Sequence, residues 1–176
     1  LGVNDDYHTN TLFYSYNSLT IPSSIFKYDM MSGEQTLWHQ KKVLDPTFSS
    51  DNYESQRIWA TANDGTQVPI SIVYKKGTKL SEAPCLLYGY GSYGYTIPDY
   101  FSATRLSLLD RGFVFATAHI RGGKYMGEEW YQNGKFLKKI NTFTDFINAA
   151  EYMGHMGFCD PNKIYANGGS AGGLLM

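Results

Sequence analysis

An α/β fold is what this sequence predicts, with a short all-β segment in front of it. Three observations carry that reading. Apolar runs at Cys85–Tyr88, Phe113–Ala118 and Lys163–Ala166 alternate with helix-periodic stretches, as in parallel strands joined by crossover helices. Residues 1–45 instead hold three aromatic-rich runs and no helical stretch. The third apolar run ends in Gly168-Gly169-Ser170-Ala171-Gly172-Gly173, which reads as a tight turn from strand into helix.

Composition narrows the class. The 176 residues are 43% hydrophobic and 18% charged, enough apolar content for one substantial core. A net charge of −1 gives no footprint for nucleic acid or an anionic membrane surface. No apolar run approaches the roughly 20 residues of a membrane span. The start, Leu1-Gly2-Val3-Asn4-Asp5-Asp6, is polar, so no secretory leader is expected, and the missing initiator Met suggests a chain that begins mid-protein. Two cysteines, Cys85 and Cys159, are too few for a disulfide framework and read as small buried thiols in a cytoplasmic setting. The four histidines, His8, His39, His119 and His155, show no metal-ligand spacing, and no cofactor is expected.

In order, Leu12–Tyr16, Ser24–Asp29 and Glu34–His39 are the first strands, with turns at Pro22 and Ser32-Gly33. Three such strands suit one blade of a β-propeller, about four strands each. The polar stretch Asp45 to Tyr53 is the candidate boundary, giving a blade over 1–45 and a second domain over 46–176. A hairpin follows, Ser55–Ala62 and Gln67–Lys76, around the turn Asn63-Asp64-Gly65-Thr66. Pro69 places an edge or a bulge near the start of its second arm. Cys85–Tyr88 reads as a strand buried on both faces. Pro98-Asp99 offers an N-cap to a helix over Tyr100–Asp110, ended by Gly112. Phe113–Ala118 is the next buried strand, and a short helix follows near Glu128–Tyr131. Phe143, Phe146, Ile147, Ala150 and Met153 share one face of a helix over Thr142–Met156, with Thr142 and Asp145 at capping-box spacing. Lys163–Ala166 is the third buried strand. A hairpin leading into β-α-β-α-β and a sharp turn is the first half of an α/β-hydrolase sheet, here preceded by the last blade of a propeller.

The chemistry concentrates on two Gly-rich loops at the C-terminal ends of strands, where open α/β sheets bind ligands. Gly168, Ser170 and Gly172 meet the G-x-S-x-G pattern, in which glycines let the turn strain the serine and expose its hydroxyl. Ser170 is therefore the candidate nucleophile, and the N–H of Ala171 the candidate oxyanion donor. The second donor belongs to the loop after the strand Cys85–Tyr88, Gly89 to Gly94. Its tyrosines leave two readings open, a phenolic donor or plain packing. The same loop matches G-x-G-x-x-G, but its helix opens too late and the next strand ends in Ala118-His119 rather than an acid, which argues against a dinucleotide site. In the α/β-hydrolase order the acid and histidine follow the serine. All four histidines precede Ser170, Asp145 reads as a cap and Asp160-Pro161 as a turn. The base and its acid are therefore expected beyond Met176, and the chain is expected to be a fragment with an unactivated serine.

Several motifs together resemble the prolyl oligopeptidase family of serine peptidases. They are Tyr88-Gly89-Tyr90-Gly91-Ser92-Tyr93-Gly94, Arg105-Leu106-Ser107-Leu108-Leu109-Asp110-Arg111-Gly112, His119-Ile120-Arg121-Gly122-Gly123 and Asn167-Gly168-Gly169-Ser170-Ala171-Gly172-Gly173. The Gly-Ser-Tyr-Gly run, the Leu-Leu-Asp-Arg-Gly run and Gly134-Lys135-Phe136-Leu137-Lys138-Lys139 are most similar to its oligopeptidase B branch. The resemblance implies Ser170 as nucleophile, Tyr90 as the oxyanion hydroxyl beside the Ala171 N–H, and Tyr93 near the substrate subsites. It implies short peptide substrates cut after Arg or Lys, with no nucleic-acid or membrane partner. It also implies that the remaining propeller and the C-terminal half of the hydrolase domain lie in the same polypeptide. Where some members carry two aspartates that bind a second basic residue, this chain has Pro98 and Tyr100, with Asp99 between. Prolyl-specific or acylaminoacyl peptidases and esterases on the same scaffold are the neighbouring possibilities. A binding module with an inert serine is a more distant one.

Overall fold

The computed structural model of the chain describes residues 4–176, so Leu1–Val3 of the expected blade and of the polar start lie outside the described residues. The chain forms two compact units. The first runs to Asn52 and includes Asp99–Ala103; the second holds Tyr53–Pro98 and Thr104–Met176.

The first unit is an antiparallel meander of β1 (Thr11–Tyr16), β2 (Ser24–Asp29) and β3 (Gln35–Gln40). β1 and β2 pair in unbroken register from Thr11 with Asp29 to Tyr16 with Ser24, while a bulge interrupts β2 against β3 between Ile25 and Phe26. Aromatic pairs clasp the sheet across strands: Tyr14 stacks on Phe26 and Phe13 meets Trp38 edge-on, both at 5.5 Å.

The second unit is a five-stranded sheet in the order β4-β5-β7-β6-β8. β4 (Tyr53–Thr61) and β5 (Gln67–Lys75) are the hairpin arms, and β6 (Cys85–Tyr88), β7 (Val114–Ala118) and β8 (Ile164–Asn167) are mutually parallel. The helices are α1 (Ala103–Leu109), α2 (Glu128–Gln132), α3 (Ile140–His155) and α4 (Ala171–Leu175). Val68, Ile70, Ile72, Cys85, Leu87, Val114, Ala116 and Ala118 present one fully buried face to Phe146, Ala149 and Met153 of α3. This arrangement is the opening of an α/β-hydrolase sheet, and it sets the C-terminal ends of β6, β7 and β8 side by side.

Four expectations fail, each for a physical reason. Pro69 lies in neither an edge strand nor a bulge: β5 is interior, paired to β4 and β7. Pro69 still accepts a bond from His119 N at 2.9 Å, and the N–H it cannot supply is replaced by the Trp130 indole, which donates to the His119 carbonyl at 2.8 Å. The helix expected from Tyr100 begins at Ala103. The long helix begins at Ile140, so Thr142 and Asp145 fall inside it and form no capping box. Asp145 instead receives Nε and Nη2 of Arg121 at 2.9 and 2.6 Å, and Thr142 turns its hydroxyl onto the Arg121 carbonyl at 2.7 Å. Finally, β8 is not buried. Among the described residues it pairs with β6 alone, and Tyr165, Ala166 and Asn167 are exposed, as is Ile147 on the expected core face of α3.

Candidate active site

β8 ends at Asn167 and α4 starts at Ala171, which leaves three residues to reverse the chain. Ser170 does so at φ 56° and ψ −119°, a region costly to any residue with a Cβ. The turn closes through Gly172 N to Gly169 O and Gly173 N to Ser170 O, both at 2.8 Å. A side chain at Gly168 would collide with the Gly172 carbonyl, so this crossing point admits only glycine. Ser170 is exposed. The N–H of Ala171 lies in the first turn of α4, where the helix itself offers no acceptor.

The loop after β6 meets this elbow directly. Gly89 N donates to Asn167 O at 3.1 Å, joining the loop to the strand that carries the serine. A Cβ on Gly172 would stand 2.7 Å from Gly89 O and 3.5 Å from Tyr90 Cδ2, so α4 begins in contact with Tyr90. Tyr90 is half-buried, its ring edge-on to Tyr95 at 5.6 Å. Among the described residues its hydroxyl makes no hydrogen bond.

Behind the loop the backbone is stacked without intervening side chains. Gly94 N donates to Gly122 O and Gly122 N to Trp130 O, each at 3.0 Å. A side chain at Gly122 would collide with the carbonyls of Gly91 and Gly134. Thr142 Oγ1 sits 2.7 Å from Arg121 O and 3.1 Å from Gly134 O. Arg121 is itself fixed by the buried Asp145 carboxylate, which also takes its backbone N–H at 2.9 Å. From the hairpin turn, Asp64 reaches Arg121 Nη1 at 2.6 Å. That bond lowers the Asp64 carboxyl to about 2.

Beside the elbow is a cleft of about 320 Å³, walled by Tyr93, Tyr131, Lys135, Phe136, Ala171 and Leu174 among others. Tyr93 and Phe136 both adopt positive φ, 57° and 48°, and both are largely exposed. With Ser170 they are the described non-glycine residues at positive φ, so the strained positions gather around one cleft. Phe136 received no role from the sequence: an exposed aromatic on a short loop carries no periodicity, and its strain is visible only in the backbone. A second hollow, about 240 Å³ beside Lys41, Lys42, Tyr100 and Phe101, contains none of the candidate residues.

Among the described residues, no histidine is hydrogen-bonded to Ser170. His119 is buried, its Nε2 2.7 Å from Ser71 Oγ and its ring stacked on Tyr125 at 3.8 Å. His8, His39 and His155 are exposed.

The chain matches two family models, "Prolyl oligopeptidase, N-terminal beta-propeller domain" over residues 1–41 and "Prolyl oligopeptidase family" over 99–176. It is 45% identical to dipeptidyl aminopeptidase BI of Pseudoxanthomonas mexicana, covering 100% of this chain and 24% of that protein. It is 41% identical to protease 2 of Moraxella lacunata, covering 97% and 25%. The structure of oligopeptidase B from Leishmania major superposes at a TM-score of 0.85 with 42% identity, covering 97% of this chain and 24% of that one. The chain thus spans about a quarter of the length of these relatives. With a propeller segment, an α/β-hydrolase sheet and a serine elbow in this order, the chain belongs to the prolyl oligopeptidase family.

Proposed function

We propose that the full-length protein is a serine peptidase that hydrolyses short peptides after Arg or Lys through an acyl-enzyme on Ser170. The observation that carries this reading is the strained, exposed serine at φ 56°, with the Tyr90 loop packed against the helix it opens. In this reading Ser170 Oγ attacks the peptide carbonyl carbon and its proton passes to a general base. The amine leaves with that proton, and water hydrolyses the resulting ester. Tyr90 and the Ala171 N–H hold the oxyanion, each contributing about 3 kcal/mol in comparable sites. Tyr93 borders the bound peptide. His119 is already enclosed by Ser71 and Tyr125. The base and its acid accordingly come from the part of the polypeptide that the longer relatives possess and this quarter does not. The similarity to oligopeptidase B supports cleavage after basic residues. A second reading, release of dipeptides from a free amino terminus, is favoured by the 45% identity to a dipeptidyl aminopeptidase.

In the full-length protein, Ser170→Ala is expected to abolish covalent labelling by a fluorophosphonate, and undiminished labelling would sink the assignment. Amino-blocked peptidyl amides ending in Arg or Lys are expected to be cleaved in preference to those ending in Pro. Cleavage confined to unblocked dipeptidyl amides would replace the first reading with the second.

A further inference from the structure

Lys139 occupies a position that helix stability disfavours. It is the N-cap of α3, at the positive end of a 16-residue helix, and its side chain makes no capping bond. It is partly buried, and burial alone holds its ammonium below the ordinary lysine range, with no carboxylate partner among the described residues. A residue that breaks local preference in this way is expected to serve something other than the helix. What it reaches is the loop after β6: Nζ donates to the Gly91 carbonyl at 2.5 Å and to Ser92 Oγ at 2.8 Å. The same side chain lines the cleft that Ala171 borders.

We propose that Lys139 is a positioning residue for the oxyanion hole, its ammonium locking Gly91 and Ser92 so that the preceding residue, Tyr90, presents its hydroxyl to the acyl oxygen. The inference rests on the assignment of Tyr90 made above. The loop is also held at its ends by Gly89 N on Asn167 O and Gly94 N on Gly122 O, and the Thr142 hydroxyl reaches the same Gly91 carbonyl at a longer 3.4 Å. Gly91 itself is at φ 66°, a left-handed conformation that glycine adopts without strain. The Lys139 bonds are the charged contacts at that midpoint, and charge-assisted bonds are roughly twice as strong as neutral ones.

The test is a double-mutant cycle in the full-length protein, using a small peptidyl p-nitroanilide that the wild type cleaves. Lys139→Met is expected to lower kcat about tenfold with KM changed less than about twofold. The fluorophosphonate-titratable fraction should stay unchanged, and Lys139→Arg should recover part of the loss. In a Tyr90→Phe background the same Lys139→Met substitution should lower kcat by less than about twofold, because the group it positions is gone. Ser92→Ala, which removes one acceptor, provides the cycle if Lys139→Met does not fold. If Tyr90→Phe is impaired but Lys139→Met is not, or if the two losses simply multiply, the inference is overturned and the proposed function stands. If Tyr90→Phe leaves kcat unchanged, the Tyr90 assignment falls and this inference with it.

Discussion

At Ser170 the backbone and the chemistry pull in opposite directions. The φ of 56° that exposes the hydroxyl is one that glycine tolerates and serine does not. Ser170→Gly and Ser170→Ala both remove the hydroxyl, yet only the first relieves the strain. Ser170→Gly should be more stable than Ser170→Ala by at least about 1 kcal/mol in denaturant unfolding of the full-length protein. Equal midpoints would mean that the turn is unstrained. This residue was legible in the sequence because its requirement is local: Gly168 passes under the Gly172 carbonyl, and that contact is written at a fixed spacing. Asp145 was not legible. Its partner Arg121 is 24 residues away, so its polar side chain at the start of a helix looks like a cap until the fold brings the two together. Tyr93 and Phe136 carry no local sign of positive φ at all.

At the scale of elements, residue patterns and turn motifs found the strands and α-helices of the described chain but not the short 3-10 turns at Ser50–Asn52, Leu80–Glu82 and Phe136–Lys138, and tertiary context decided what each element faces. β8 shows how burial depends on neighbours: among the described residues it pairs with β6 alone, and Tyr165, Ala166 and Asn167 are exposed. Pro69 shows the opposite case, a residue that reads as an edge and is interior because another side chain completes the ladder. His119 and Pro69 stand opposite each other in the β5–β7 register, and the Trp130 indole takes the donor's place on the His119 carbonyl. Trp130→Phe should therefore leave a buried carbonyl without a donor, at a cost of about 1–3 kcal/mol. Adding Pro69→Val restores a backbone N–H at that point. The double variant should melt higher than Trp130→Phe alone, and an additive loss would refute the substitution of indole for amide.

At the scale of the molecule, the order β4-β5-β7-β6-β8 was legible only as a hydrolase sheet in outline, because strand order depends on pairings between distant segments. Arg121 ties those segments, donating to Asp145 of α3 and to Asp64 of the hairpin turn. The Arg121 bond holds Asp64 at about 2, below the ordinary carboxylate value. Its stabilisation is thus complete above about pH 4 and lost as the pH falls towards 2. The Asp64 side chain is half exposed, so the effect is modest. Wild type should melt above Asp64→Asn at pH 7, with the gap closing between about pH 4 and 2; a constant gap would remove Asp64 from the network. The stacked backbone of Gly91, Gly122 and Gly134 has a consequence for how this fold can vary in sequence. Atoms already in contact leave no volume to trade, so side chains of a new size fit more readily on the outer wall of the cleft. Tyr93, Phe136 and Leu174 are exposed there, while the layer behind them has no room for a side chain.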